Sequence, residues 1–256
     1  MLKLDAYKLK WIAIIGMVLN HIVIAWWDIV PLPIAYPFFL LGGLTFPIMA
    51  FFVVEGYKHT RSLKRYVGRI LIIGLIALPF HVLTLGVAFL GDESILAAVF
   101  SLNIMFTIAL SLWVLYLYDK IKSRVAFWLL FIFIIMPISL LFFEWAPHGV
   151  LMVLLFYTIK KEKARRVLPP IIAIVVSLLA ALILLIPGFE PPEMTGITAD
   201  ANYELVSITF PIGMLLASFL LLGYNNERGK SMKWLFYIFY PAHLAILALG
   251  RFLLEL

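Results

Sequence analysis

The chain has 256 residues, of which 64% are hydrophobic and 13% charged, and its mean hydropathy is +1.08. No soluble domain of that length covers so much apolar surface, so lipid has to act as solvent. The net charge of +6 does not point to nucleic acid, because the basic residues fall in short loops. The absence of cysteine excludes disulfides, an acyl-cysteine intermediate and thiolate metal sites.

The N-terminus, MLKLDAYKLK, runs into an apolar segment with no small-residue cleavage site, so no removable signal peptide is expected. Nine apolar segments follow, at 11–27, 37–57, 70–90, 95–118, 125–144, 148–159, 167–187, 205–223 and 234–254. Most have the ~20 residues that a spanning helix needs; the sixth is short. The predicted fold is therefore all-α: one polytopic membrane domain over 1–256 with about nine transmembrane helices. Every Lys and Arg except Arg251 lies in the N-terminus or in the loops 58–69, 119–124, 160–166 and 224–233. The positive-inside rule then places the N-terminus in the cytoplasm and the C-terminus outside, across a prokaryotic cytoplasmic membrane. The outer loops are short and acidic (Asp28, Asp92, Glu93, Glu190, Glu193), and 188–204 is the expected lid or acceptor-facing loop. No internal repeat is visible.

Polar groups inside the segments are few. The first holds Asn20 and His21; ten residues separate His21 from Lys10, which at ~1.5 Å per residue puts the imidazole about 16 Å into the membrane, near its midplane. Ionisable groups at that depth are candidate functional residues. Glu55 ends the second segment and has Lys58 and His59 as possible partners. His81 is in the third, Asn103 and Thr107 in the fourth; helix–helix hydrogen bonding is an equal reading for each. Glu144 and His148 flank the outer turn after the fifth. Tyr237, Tyr240 and His243 are in the last. His243 is expected to share a cavity with His21. Pro47, Pro79, Pro137, Pro211 and Pro241 can each kink a helix toward a cavity. The loop 58–69 groups Lys58, Arg61, Lys64, Arg65 and Arg69 around Thr60 and Ser62, and as one helix these cations would share a face suited to a polyphosphate.

A cationic patch on one side and a mid-membrane base suit a phosphorylated donor whose reactive end reaches into the bilayer. Acyl-CoA has that shape. His21 would deprotonate a hydroxyl or amine, and Asn103, Asn20 or a tyrosine would steady the oxyanion. A proton-coupled transporter is the main competitor, opposed by the lack of repeats and by the cationic patch; a non-catalytic accessory subunit of an envelope assembly system is the third reading.

The blocks LKWIAIIGMVLNHI, FPIMAFFVVEGYKHTRSLKRYVGR, LNIMFTIAL, HGVLMVLLFY and WLFYIFYPAHLAIL resemble, in order, those of the TraX family, over about residues 9–249. The resemblance implies a polytopic inner-membrane protein, related to the multi-spanning acyltransferases, in a family linked to N-terminal acetylation of conjugative pilin. It implies acetyl-CoA as donor substrate, no metal, and a pilin, glycan or lipid acceptor in the envelope, and it leaves the oligomeric state open. Carried over, His21 is the general base and Lys10 with the Arg61–Arg69 region contacts the donor phosphates; by their own positions Asn20, Glu55, His243 and Asn103 join the expected catalytic set. Lys10, Lys58, Thr60, Arg61, Arg65, Arg69 and Tyr240 are the donor contacts. Asn20 departs from the aspartate usual before this histidine, which keeps the accessory reading open.

Overall fold

The computed structural model describes residues 3–86, 102–145, 148–183 and 200–254. These residues form helices α1 (Ala6–Ala25), α2 (Leu32–Gly43), α3 (Thr45–His59), α4 (Leu63–His81), α5 (Ile104–Lys120), α6 (Arg124–Leu130), α7 (Met136–Phe142), α8 (His148–Thr158), α9 (Glu162–Ile183), α10 (Ala201–Ser207), α11 (Thr209–Leu222) and α12 (Lys233–Leu254). No strand occurs among them, only isolated bridges at Leu4–Tyr224 and Leu102–Phe143. The starts follow local chemistry: Asp5, Ser62, Asn103, Ser123 and Asp200 each cap a helix by accepting a backbone N–H in its first turn.

Among the described residues, six segments are long and apolar enough to cross a membrane: Ala6–Ala25, Leu32–His59, Leu63–Leu85, Arg124–Phe142, Ala201–Leu222 and Trp234–Leu253. The other three expected segments fall on α5, α8 and α9; α8 has only 11 residues. Most of the expected outer loop 188–204, and Asp92 and Glu93, lie outside the described residues. Large apolar side chains such as Ile72, Leu75, Phe133, Leu141, Phe219 and Ile246 point outward from the fold, as a lipid-facing surface requires.

Pro47, Pro137 and Pro211 sit in the first turns of α3, α7 and α11, where a missing N–H costs nothing. Pro79 and Pro241 are helix-interior, as are Pro37 in α2 and Pro169 and Pro170 in α9. A π-turn, Val82–Gly86, follows Pro79, and another, Phe131–Ile135, precedes Pro137.

All the basic loops gather at one face. Leu4 and Ala6 pair through their backbones with Gly223, Asn225 and Glu227 at 2.9 Å. Arg166 donates to the Tyr224 carbonyl (2.8 Å) and to Asn226 (2.7 Å). Asp119 accepts from Tyr57 (2.7 Å) and from Tyr157 (2.8 Å). At the opposite face the Trp27 indole donates to Asp200 (2.9 Å), and this bond with the Asn202 N–H holds that carboxyl below its usual range. α1 and α12 run in the same direction: Lys10 lies over the Phe236 ring, His21 meets His243, and Arg251 donates to the Ala25 carbonyl.

Two helix crossings are tight enough to demand glycine. A Cβ on Gly213 of α11 would lie 1.9 Å from the Leu40 carbonyl oxygen, and one on Gly43 of α2 would lie 2.1 Å from that of Phe210. A Cβ on Gly42 would lie 2.5 Å from the Asn20 Cβ, so that glycine lets α1 approach α2 beside His21.

Candidate functional site

His21 and Asn20 open onto a cavity of about 430 Å³. α1, α2, α9 and α11 supply much of its wall, joined by the α7–α8 turn and by α10. Phe39, Phe46, Trp145, Tyr203 and Phe210 make that wall aromatic; Trp145 stacks on Phe46 at 4.4 Å and lies 5.3 Å from Phe210. Trp145 takes φ +62, a left-handed conformation that costs a non-glycine residue about 1–3 kcal/mol. The surrounding rings hold it there.

His243 does not line this cavity, contrary to the expected sharing; it stands behind His21 and touches it. The His21 Nδ1 to His243 Nε2 distance is 2.9 Å, and the rings are within 12° of parallel. His243 Nδ1 lies 3.0 Å from the Phe239 carbonyl oxygen. A carbonyl only accepts, so this nitrogen carries the proton of the neutral ring and His243 Nε2 carries the lone pair. His21 must then donate through Nδ1, which leaves its own Nε2 unprotonated. The pair thus fixes one tautomer of His21, with a basic nitrogen left over.

The other expected site residues separate into two groups. Tyr240 belongs with the histidines: it is buried, with its ring 5.5 Å from that of His243, and it is not at the basic face. Tyr237, one turn earlier, is the tyrosine that reaches that face, accepting from Arg69 at 3.1 Å. Lys10 lies over the rings of Phe52 (4.9 Å) and Phe236 (5.8 Å). The expected continuous cationic helix does not form. α3 ends at His59, Thr60 and Ser62 are extended, and Ser62 caps α4, so Lys58 and Arg61 are off the helix that carries Lys64, Arg65 and Arg69. Arg61 and Arg65 are exposed, and the Thr60 hydroxyl donates to the Ser62 carbonyl at 3.4 Å.

Glu55 is placed away from His21. It pairs with Arg165 and with Lys58 (3.4 Å) at the basic face, where Arg165 also donates to the Phe156 carbonyl and covers the Phe51 ring. Asn103 is likewise fully engaged. Its Oδ1 accepts the Met105 N–H (3.1 Å) and its Nδ2 donates to the Gly74 carbonyl (2.9 Å), so it ties α5 to α4 rather than facing the cavity. Asn103→Ala should lower stability by about 1–3 kcal/mol through the lost cap and the lost bond between α5 and α4. If the chain is the transferase that the resemblance implies, transfer per folded molecule should be unchanged. Thermal melting beside a turnover assay checks this, and a stable but inactive variant contradicts it.

Two residues noted in the sequence only as flanking a turn line this cavity. Glu144 folds inward because its backbone N–H donates to Leu102 (2.9 Å) and its carbonyl accepts from Thr107, and one carboxylate oxygen accepts the Ile104 N–H at 2.9 Å. His148, at the start of α8, lines the cavity too, its ring 5.7 Å from that of Trp145. Their only sequence signal was a close acidic–histidine pair between two apolar runs.

The family described as TraX protein matches residues 6–251. The chain belongs to the TraX family. Every site residue discussed above falls inside the matched part of this TraX chain. It is also 27% identical over 259 residues to a protein of Dichelobacter nodosus named probable fimbrial assembly protein FimC, serogroup H1, a match covering 98% of this chain and 97% of that one. No solved structure matches.

Proposed function

We propose that this TraX protein is an integral-membrane acyltransferase that moves an acetyl group from cytosolic acetyl-CoA to an amine or hydroxyl of an envelope acceptor. In this reading the chain crosses the inner membrane nine times, with its basic face in the cytoplasm, and the parallel course of α1 and α12 agrees with an odd number of crossings. The observation that carries the proposal is the histidine pair, which leaves one basic nitrogen at a mid-membrane cavity.

The reaction divides between the two faces. Arg61, Arg65, Arg69 and Lys10 would hold the donor's phosphates, with its thioester reaching along α12 past Tyr237 and Tyr240. The acceptor would enter the cavity from the opposite side. His21 Nε2 takes the acceptor's proton as its nitrogen or oxygen bonds to the thioester carbon. The carbonyl π electrons move onto oxygen, where the Asn20 amide would steady them. Collapse of that intermediate breaks the C–S bond, and the thiolate recovers the proton from His21. His243 accepts the His21 Nδ1–H throughout and keeps the ring oriented. The relative named for fimbrial assembly supports an acceptor that belongs to a surface appendage.

The test is acetyl-CoA binding and release of free CoA by protein purified into nanodiscs. Slow release without acceptor, weakened binding in Arg61→Gln/Arg65→Gln, and faster release with acceptor are expected. Absence of both binding and release overturns the reading in favour of an accessory role.

A further inference from the structure

A second group of cations lies apart from those that would hold the donor. Asp119, in the last turn of α5, accepts from Tyr57 (2.7 Å) and from Tyr157 (2.8 Å), which ties the loop after α5 to the loop after α8. The Tyr118 and Tyr157 rings meet edge to face at 6.0 Å. The Arg124 guanidinium stands over Tyr118 at 4.0 Å and the Lys160 ammonium over Tyr157 at 5.6 Å, so each loop rests one cation on one of two touching rings. Lys120 and Lys122 flank the first, Lys161 and Lys163 the second, and all of these cations are exposed. The acidic residues of the two loops are engaged elsewhere, Asp119 by the phenols and Glu162 by Arg166. Among the described residues no carboxylate pairs with Arg124, Lys160 or their flanking lysines. Toward the membrane the surface turns apolar and aromatic. Trp113 and Tyr116 of α5 and Val125, Trp128 and Leu129 of α6 are exposed, and Lys120 lies over the Tyr116 ring at 5.6 Å. Cations above exposed tryptophans suit a lipid, headgroup and chains together, whereas an acidic protein segment would use the cations alone. A headgroup with one phosphate reaches one loop. Two phosphates on a short linker reach both, and the second contact then forms at high effective concentration.

We propose that the loops after α5 and α8 bind the two-phosphate headgroup of a diphosphatidylglycerol from the cytoplasmic leaflet, with Arg124 and Lys160 as its anchors. Arg124 donates one N–H to the Tyr118 carbonyl (2.6 Å), which holds the guanidinium plane and leaves its other N–H groups for a phosphate. Lys160 meets the second phosphate as a point charge. The proposal goes beyond the transferase reading and takes from it only that the basic face is cytoplasmic.

The experiment is native mass spectrometry of the full chain in neutral detergent, titrated with diphosphatidylglycerol or with phosphatidylglycerol at equal phosphate. Wild type should retain one diphosphatidylglycerol, bound at least about tenfold more tightly than phosphatidylglycerol. Arg124→Gln/Lys160→Gln should weaken that binding about thirtyfold, the worth of two cations at an anionic surface. Arg228→Gln/Lys230→Gln removes the same charge from another exposed loop of the basic face and should leave binding within about twofold. Equal binding of the two lipids, or equal weakening by the two double variants, overturns the site and leaves only a diffuse attraction of lipid to a positive face. Tighter binding of a soluble hexaglutamate peptide than of diphosphatidylglycerol overturns it in favour of an acidic protein partner. If Arg124→Gln/Lys160→Gln does not fold, Lys161→Gln/Lys163→Gln is read in its place, and an unchanged affinity there overturns the proposal.

Discussion

His21→Ala lowers acetyl transfer by about 10²–10⁴-fold, the usual worth of a positioned general base, and leaves the protein folded. The residue is 8% exposed, but its single bond is to another side chain, so no backbone group is orphaned by its removal. The loss falls on turnover rather than on acetyl-CoA binding, because the cations that would hold the donor lie about 16 Å away along α1 and beyond. His21→Ala also leaves His243 Nε2 without a donor in a buried place, a cost of about 1–3 kcal/mol that melting should register. Free CoA release and transfer, measured beside melting, decide the matter. A folded His21→Ala protein that turns over at the wild-type rate removes His21 from the chemistry.

Gly213→Val should be the most damaging single change to the fold. Its Cβ would meet a backbone oxygen at 1.9 Å, and a backbone atom cannot swing aside as a side-chain tip can. α2 and α11 would have to separate, and Gly43 faces the reciprocal contact with the Phe210 carbonyl. Overpacking of this kind costs about 1–3 kcal/mol even where side chains can yield. The same two helices bring Phe39, Gly42, Phe210 and Met214 to the cavity, so separation would distort the site as well. Size-exclusion profiles and melting of Gly213→Val and Gly213→Ala should show a graded loss. A Gly213→Val protein as stable as wild type would mean that the crossing is not close-packed.

How far the sequence could be read differs from residue to residue. The meeting of His21 with His243 was legible: each lies mid-segment, and each segment begins at a basic loop, so the two share a depth. Asn103 was misleading because it precedes a long apolar run. An Asn in that place is as much a helix N-cap as a buried polar group, and only the contact with Gly74 distinguishes the two. The cationic loop failed as a helix for a local reason, since Ser62 caps more readily than it continues a helix. Glu144 could be read only as one of a pair beside a turn. Nothing near it in the chain says that the turn folds inward; the backbone of Leu102 and the hydroxyl of Thr107, some forty residues earlier, draw it in.

The partners in the histidine pair are 222 residues apart in the chain, and the second is on the last helix. During synthesis, therefore, His21 enters the bilayer early and waits through the insertion of every other segment before its Nδ1–H finds an acceptor. Until then its ring is free to take either tautomer. Fragments ending before α12, whether from stalled ribosomes, early stop codons or proteolysis, carry the cations, most of the cavity wall and an unset base. Docking of α12 against α1 is thus the step that sets the His21 tautomer.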